Sequence, residues 1–258
     1  MRFPMITFDN ITSKTTLIEE NEFYKLYHNH DARFMYDYNF MRLKYQPTLE
    51  EFKLIEKILL EFHEDMEMDH AKFYWPEDYG FTEPIVEYLS TNGYGIEILE
   101  LYALEPKDFV ASNGNPAVTV ELVTEESLEA FKLINRIQDA QINETFAQQK
   151  EALYNQDFED PTVQQIIAYL DNQAVGGVDL LVREDTVEID NFFVIEEYQR
   201  QGIGTEIQKF VMDIAGSRTV ILVADAEDTP KDMYLKQNDT YLSYQVGALK
   251  EFSAPQEK

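Results

Sequence analysis

The chain has 258 residues, 44% of them hydrophobic and 13% aromatic, enough for one large or two ordinary packed domains, which excludes global disorder. It has no cysteine, so disulfide scaffolds, thiolate zinc sites and cysteine nucleophiles are ruled out. Asp and Glu number 49 against 21 Lys and Arg, a formal charge of −28; such a field repels nucleic acid and anionic membranes, and it either favours a cationic or amine-bearing partner or serves solubility alone.

Residues 1–11 lack the apolar run of a signal peptide, and no stretch approaches the ~18 apolar residues of a membrane span. A soluble cytoplasmic protein is the expectation. Phe40 to Tyr45 alternates apolar and polar residues, as a half-buried strand does. Thr48, with Glu51 three residues on, opens a helix whose inward positions are Phe52, Ile55, Ile58, Leu59 and Phe62. Ala71 to Trp75 reads as a strand, Thr82 to Thr91 as a helix stopped by Asn92-Gly93, and Gly95 to Leu104 as a long strand. Residues 105–116 carry two prolines and Asn113-Gly114-Asn115 without periodicity, the composition of an interdomain linker. The division predicted is an N-terminal α/β domain over 1–110 and a second domain over 117–258.

The second half begins with a strand at Ala117 to Val123 and a helical region from about Glu125 to Tyr154. Strands follow at Val163 to Leu170, Ala174 to Val182 and Val187 to Val194, joined by hairpin turns at Asp171-Asn172 and Glu184-Asp185. A helix runs from Ile203 to Ala215 and is closed by Gly216. Val220 to Val223 is a buried strand, Pro230 to Lys236 a short helix, and Tyr241 to Leu249 a last strand pair. Tyr88-Leu89-x-x-Asn92 in the first half matches Tyr234-Leu235-x-x-Asn238 in the second, each followed by a strand ending in Ala-Leu. Either both halves are versions of one fold, the first degenerate, or two common residue types coincide.

Chemistry concentrates where a strand runs through a Gly-rich turn into a helix, residues 187–215. Gly202 and Gly204 lack Cβ atoms, and the amides of 200–205 are unsatisfied donors at a helix N-terminus, which makes an anion site suited to a diphosphate. The dinucleotide fingerprint fails because Ile207 stands where a small residue is required, and the P-loop fails for want of Gly-Lys-Ser/Thr. Glu188 and Asp190 lie two apart on one strand face, either as a paired-carboxylate base or as a solvent-facing strand edge. His28, His30, His63 and His70 read as exposed polar side chains rather than metal ligands, and no metal is expected.

The run Val187-Glu-Ile-Asp-Asn-Phe-Phe-Val194, followed by Gln199-x-x-Gly202-x-Gly204 opening a helix, resembles the signature of the GNAT N-acetyltransferase superfamily, over roughly Ala117 to Phe252. The resemblance implies an α/β (α+β) GNAT fold, a mixed central sheet flanked by helices, with a smaller N-terminal α/β domain beside it. It implies acetyl-CoA as co-substrate, with backbone groups of Phe193 and Val194 on the pantetheine arm. Gln199, Arg200, Gln201, Gly202, Ile203, Gly204 and Thr205 then surround the pyrophosphate. Glu188, with Asp190, falls where relatives place a general base, and Tyr234 where they place the proton donor to the leaving thiolate. Position 199 is glutamine where arginine is more frequent, and Asn238-Asp239-Thr240 stands where many relatives have Gly-Phe.

The function implied is acetyl transfer to a primary amine, small-molecule or peptide, by direct attack. The alternative is a catalytically inactive CoA-binding protein that regulates or scaffolds. A third reading has the N-terminal half mediating homodimerisation, with the acceptor pocket in the cleft between halves.

Overall fold

The structure, a computed structural model, describes residues 6–11, 14–227 and 237–252. The described strands are β1 (Thr16–Glu20), β2 (Tyr24–His28), β3 (Phe40–Leu43), β4 (His70–Tyr74), β5 (Gly95–Leu104), β6 (Val118–Leu122), β7 (Val163–Leu170), β8 (Gln173–Val182), β9 (Thr186–Val194), β10 (Thr219–Asp225) and β11 (Thr240–Glu251). The described helices are α1 (Leu49–Asp65), α2 (Glu83–Thr91), α3 (Leu128–Asp139), α4 (Glu144–Glu159) and α5 (Ile203–Ala215). No described helix is long and apolar enough to cross a membrane.

The chain forms two compact units. One holds the described residues of 6–101, 224–227 and 242–252, and the other holds 102–223 and 237–241. The sequence places the division between 110 and 117; compactness places it at Tyr102 and returns the last strand to the first unit.

In the first unit the strand order is β1-β2-β3-β4-β11-β5. Thr48 caps α1 with a reciprocal Glu51 bond, as the capping box requires. The helix buries Phe52, Ile55 and Leu59 in a core with Phe73, Trp75, Ile85 and Leu89. Ile58, expected inward, is 40% exposed; Glu56 and His63 take inward positions instead. Glu56 is tolerated there because Tyr88 and Tyr94 each donate a hydroxyl to it at 2.6 Å. The histidines also depart from expectation: His28, His63 and His70 are buried. His63 packs on His70 at 5.0 Å and His28 on Phe62 at 5.5 Å, and burial holds the His63 imidazole down at about 4. Among the described residues no His/Cys/Asp/Glu group could hold a metal.

β1 escapes sequence reading because Thr16–Glu20 is exposed along its whole length and carries no apolar alternation; β2 alternates buried and half-buried positions and is missed in spite of it. The segment read as a strand pair near the C-terminus is one continuous strand, β11. Its Gly247 makes no turn; a Cβ there would lie 2.8 Å from Cγ of Glu97, so the glycine answers to close packing.

In the second unit the order is β10-β9-β8-β7-β6, antiparallel from β9 through to β6 and parallel between β9 and β10, which α5 connects. The β7–β8 turn places Asp171 and Asn172 at φ 51 and 63, the left-handed pair of a type I′ hairpin. α5 lays Ile203, Ile207, Val211, Met212 and Ala215 against Ile166, Val178, Leu180, Val187 and Val220 on one sheet face. α3 and α4 cover the other through Phe131, Ile134 and Tyr154, which meet Ile167, Phe193 and Ile195.

Residues 105–116 are not a free linker. They belong to the second unit and run over it as a strap: Val110 N–H donates to Gln237 O at 3.1 Å, and Ser112 Oγ lies 2.8 Å from Thr205 Oγ1.

Candidate functional site

The Gly-rich turn is built by left-handed residues. β9 ends at Val194, a single 3-10 turn covers Glu196–Tyr198, and the chain enters α5 through Arg200 at φ 60 and Gly202 at φ 81. Such a turn points successive amides into one concavity. Among the described residues, none offers an acceptor to the backbone amides of Arg200, Gly202, Ile203, Gly204 or Thr205. Open donors at the positive end of a helix form an anion site, and their number fits a diphosphate.

Gly202, however, is needed by the protein's own packing. A Cβ on Gly202 would lie 2.9 Å from Asn115 N and 2.9 Å from Gly114 C, both backbone atoms of the strap. A Cβ on Gly204 would meet the Phe192 ring at 3.3 Å. So the strap walls one side of the turn, and the vacant Cβ positions are filled from within the unit rather than by a ligand.

The strand feeding this turn is splayed. β9 pairs with β10 from Thr186 to Ile189, the last partners being Ile189 and Leu222; beyond them β9 continues five residues with no paired strand on that side among the described residues. The register with β8 also slips between Gly177 and Asp179, and Asn191 sits in the slip at φ 49. Val194 is opposite Gly176, and Ile195 N–H bonds Val175 O at 2.9 Å. In an antiparallel ladder that pattern turns the N–H and C=O of Val194 away from β8 and toward the open edge. Phe193, one residue earlier, turns its own toward Gly177 of β8, and its side chain joins the α3 and α4 core.

On the α3 and α4 face of the sheet lie the carboxylates. Val187 and Ile189 enter the α5 core, so Glu188 and Asp190 share the opposite face by alternation. Glu188 is 7% exposed and stands between Leu181 of β8 and Ile221 of β10, in the sheet interior rather than at an edge. Asp190 is exposed. Directly across from Asp190 is Asp179, 3% exposed, whose Oδ2 accepts from Asn191 Nδ2 at 3.0 Å. The same Nδ2 donates to Asn135 Oδ1 of α3 at 2.8 Å. Sequence reading missed Asp179, Asn191 and Asn135; the available signal was one aspartate inside the apolar run Gly-Val-Asp-Leu-Leu-Val. Tyr234, and the short helix expected over 230–236, lie outside the described residues. Nearby, burial pushes the Asp239 carboxyl up to about 7, a value suited to proton exchange at neutral pH.

Splayed parallel strands, a bulged strand, an amide-lined turn and an amphipathic helix in this order are one arrangement. Residues 129–236 match the model of the acetyltransferase (GNAT) family. This stretch of the chain is a GNAT domain. Residues 6–102 match a separate domain of unknown function, DUF5613. No curated protein sequence matches the chain. A conserved protein of unknown function from Staphylococcus epidermidis is similar over 96% of this chain and 98% of its own, at 31% identity and a TM-score of 0.90. A GCN5-related N-acetyltransferase from Kribbella flavida aligns over 92% of this chain and 89% of its own, at 12% identity and a TM-score of 0.56. A tandem GNAT protein from the clavulanic acid biosynthesis pathway aligns over 84% of this chain and 76% of its own, at 9% identity and a TM-score of 0.53. The last two likenesses are of fold. The chain is thus an α+β protein with a GNAT domain behind an N-terminal DUF5613 domain.

Proposed function

We propose that the GNAT domain transfers an acetyl group from acetyl-CoA to a primary amine by direct attack. The observation that carries this reading is the open amide concavity at residues 200–205 beside the unpartnered edge of β9 at Val194. The first suits a pyrophosphate and the second suits an extended chain with amide groups, and CoA joins the two.

The acceptor ammonium must lose a proton before it can attack. Glu188 takes that proton directly or through water, with Asp190 and Asp179 on the same face keeping the region negative. The amine nitrogen then bonds the thioester carbonyl carbon, and a backbone N–H stabilises the oxyanion. Collapse breaks the carbon–sulfur bond, Tyr234 protonates the departing CoA thiolate, and the second proton that the attached nitrogen must lose to become an amide returns through water to the Tyr234 phenolate. Three carboxylates and a formal charge of −28 favour a cationic acceptor over an acidic one.

Two measurements test the proposal. Acetyl-CoA should raise the melting temperature by mass action; no shift at millimolar ligand rejects it. An amine panel should release free CoA thiol, and Glu188→Gln and Tyr234→Phe should slow that release while sparing CoA binding. Binding without thiol release from any amine would favour a regulatory CoA-binding protein instead.

A further inference from the structure

The Gln199 side chain already occupies the edge that a cofactor would use. Its Nε2 donates to Val194 O at 3.0 Å. That carbonyl faces the open side of β9, because the Gly176–Val194 pair turns it away from β8 and β10 has parted from β9 five residues earlier. An exposed carboxamide five residues along the chain has folded back to satisfy a strand-edge acceptor. A secondary amide in an extended ligand lying along β9 would present the same donor to the same atom.

We propose that Gln199 is a built-in stand-in for the pantetheine amide of CoA, so that cofactor binding displaces its side chain from Val194. This rests on the acetyl-CoA reading above and adds to it. The anion concavity, made of backbone amides, carries the affinity for the pyrophosphate. Gln199 sets a cost on the pantetheine arm alone, since the carbonyl of Val194 exchanges one hydrogen bond for another. Gln199 is therefore a specificity-determining residue: it weakens CoA relative to ligands that stop at the phosphates.

The test compares two probes, CoA and adenosine 3′,5′-bisphosphate, which lacks the pantetheine arm and the outer phosphate of the diphosphate, by titration calorimetry against the full chain and the Gln199→Met variant. Methionine keeps the length of the side chain and removes the donor. CoA should bind the variant more tightly by roughly three- to tenfold, the range of one net neutral hydrogen bond, and the bisphosphate should bind both proteins equally. In the unsubstituted protein, the Gln199 side-chain amide resonance should shift on adding CoA and stay in place with the bisphosphate. Unchanged or weaker CoA binding by Gln199→Met overturns the assignment, as does equal tightening of both probes, which would mean that the turn itself had rearranged. Failure of the unsubstituted protein to bind either probe rejects the acetyl-CoA reading, and the Gln199 assignment falls with it.

Discussion

Asn191 Nδ2 lies 3.0 Å from Oδ2 of Asp179, a bond that ties the left-handed residue of the β9 bulge to the neighbouring strand. Asparagine is one of the few residues that adopt this conformation at little cost, and its amide here also reaches Asn135. Asn191→Ala and Asn191→Gly both remove these bonds, but alanine adds strain at positive φ. The alanine variant should be less stable than the glycine variant by about 1 kcal/mol in urea denaturation, and both should fall below the parent by about 1–3 kcal/mol. Equal stability of all three would mean that the bulge is held by other contacts.

The strap gives a sharper contrast between two glycines. At Gly202 a methyl group meets backbone of the strap, and φ is 81. At Gly114 a methyl group meets Oε1 of Glu206 and Nζ of Lys209, ends of flexible side chains that can swing aside. Gly202→Ala should therefore cost about 2–4 kcal/mol, combining left-handed strain with a backbone clash, and Gly114→Ala less than about 1 kcal/mol. Thermal denaturation of the two variants orders them; a reversed order would refute the packing of 113–115 on the α5 entrance.

The buried histidines predict an acid-sensitive N-terminal unit. Desolvation lowers His63 from 6.5 to about 4, and it lowers His70 as well. The unfolded chain thus binds protons that the folded chain refuses, so stability is full above pH 6.5 and is lost as pH falls toward 4. His63 alone accounts for about 3 kcal/mol across that window. Urea midpoints measured from pH 7.5 to 4.5 should fall accordingly, and replacing His63 by phenylalanine should flatten the profile even if it lowers stability at pH 7.5.

Glu56 is held in the interior by two phenols. Tyr94→Phe should destabilise by about 1.5–3 kcal/mol, the range for a hydrogen bond to a charged group, because it leaves one carboxylate oxygen without its donor. In a double-mutant cycle with Glu56→Gln, the penalty for losing the Tyr94 hydroxyl should shrink. An unchanged penalty would place its cause outside this pair.

Much of the GNAT domain was legible locally. β7 and α5 fall where the periodicity of Val163–Leu170 and Ile203–Ala215 puts them, and the Gln199 to Gly204 motif fixed the nature of the turn between β9 and α5. The carboxylate-bearing face of β9 was less legible. Glu188 was singled out from its strand position, but its deep burial and the facing Asp179 depend on which residues of β8 stand opposite β9, and that register is set by a bulge with no sequence signature of its own.

Sequence alone determined the elements whose apolar residues repeat at a period, and the Gly-x-Gly turn that opens α5, because both are dictated within a few residues of chain. Tertiary structure decided the rest. It placed the aperiodic strap against Gly202, returned β11 to the first unit, turned His63 inward and brought Gln199 onto Val194. Each of these is a contact between an atom and whatever the fold brings beside it, and hydrophobic patterning records burial without naming the neighbour.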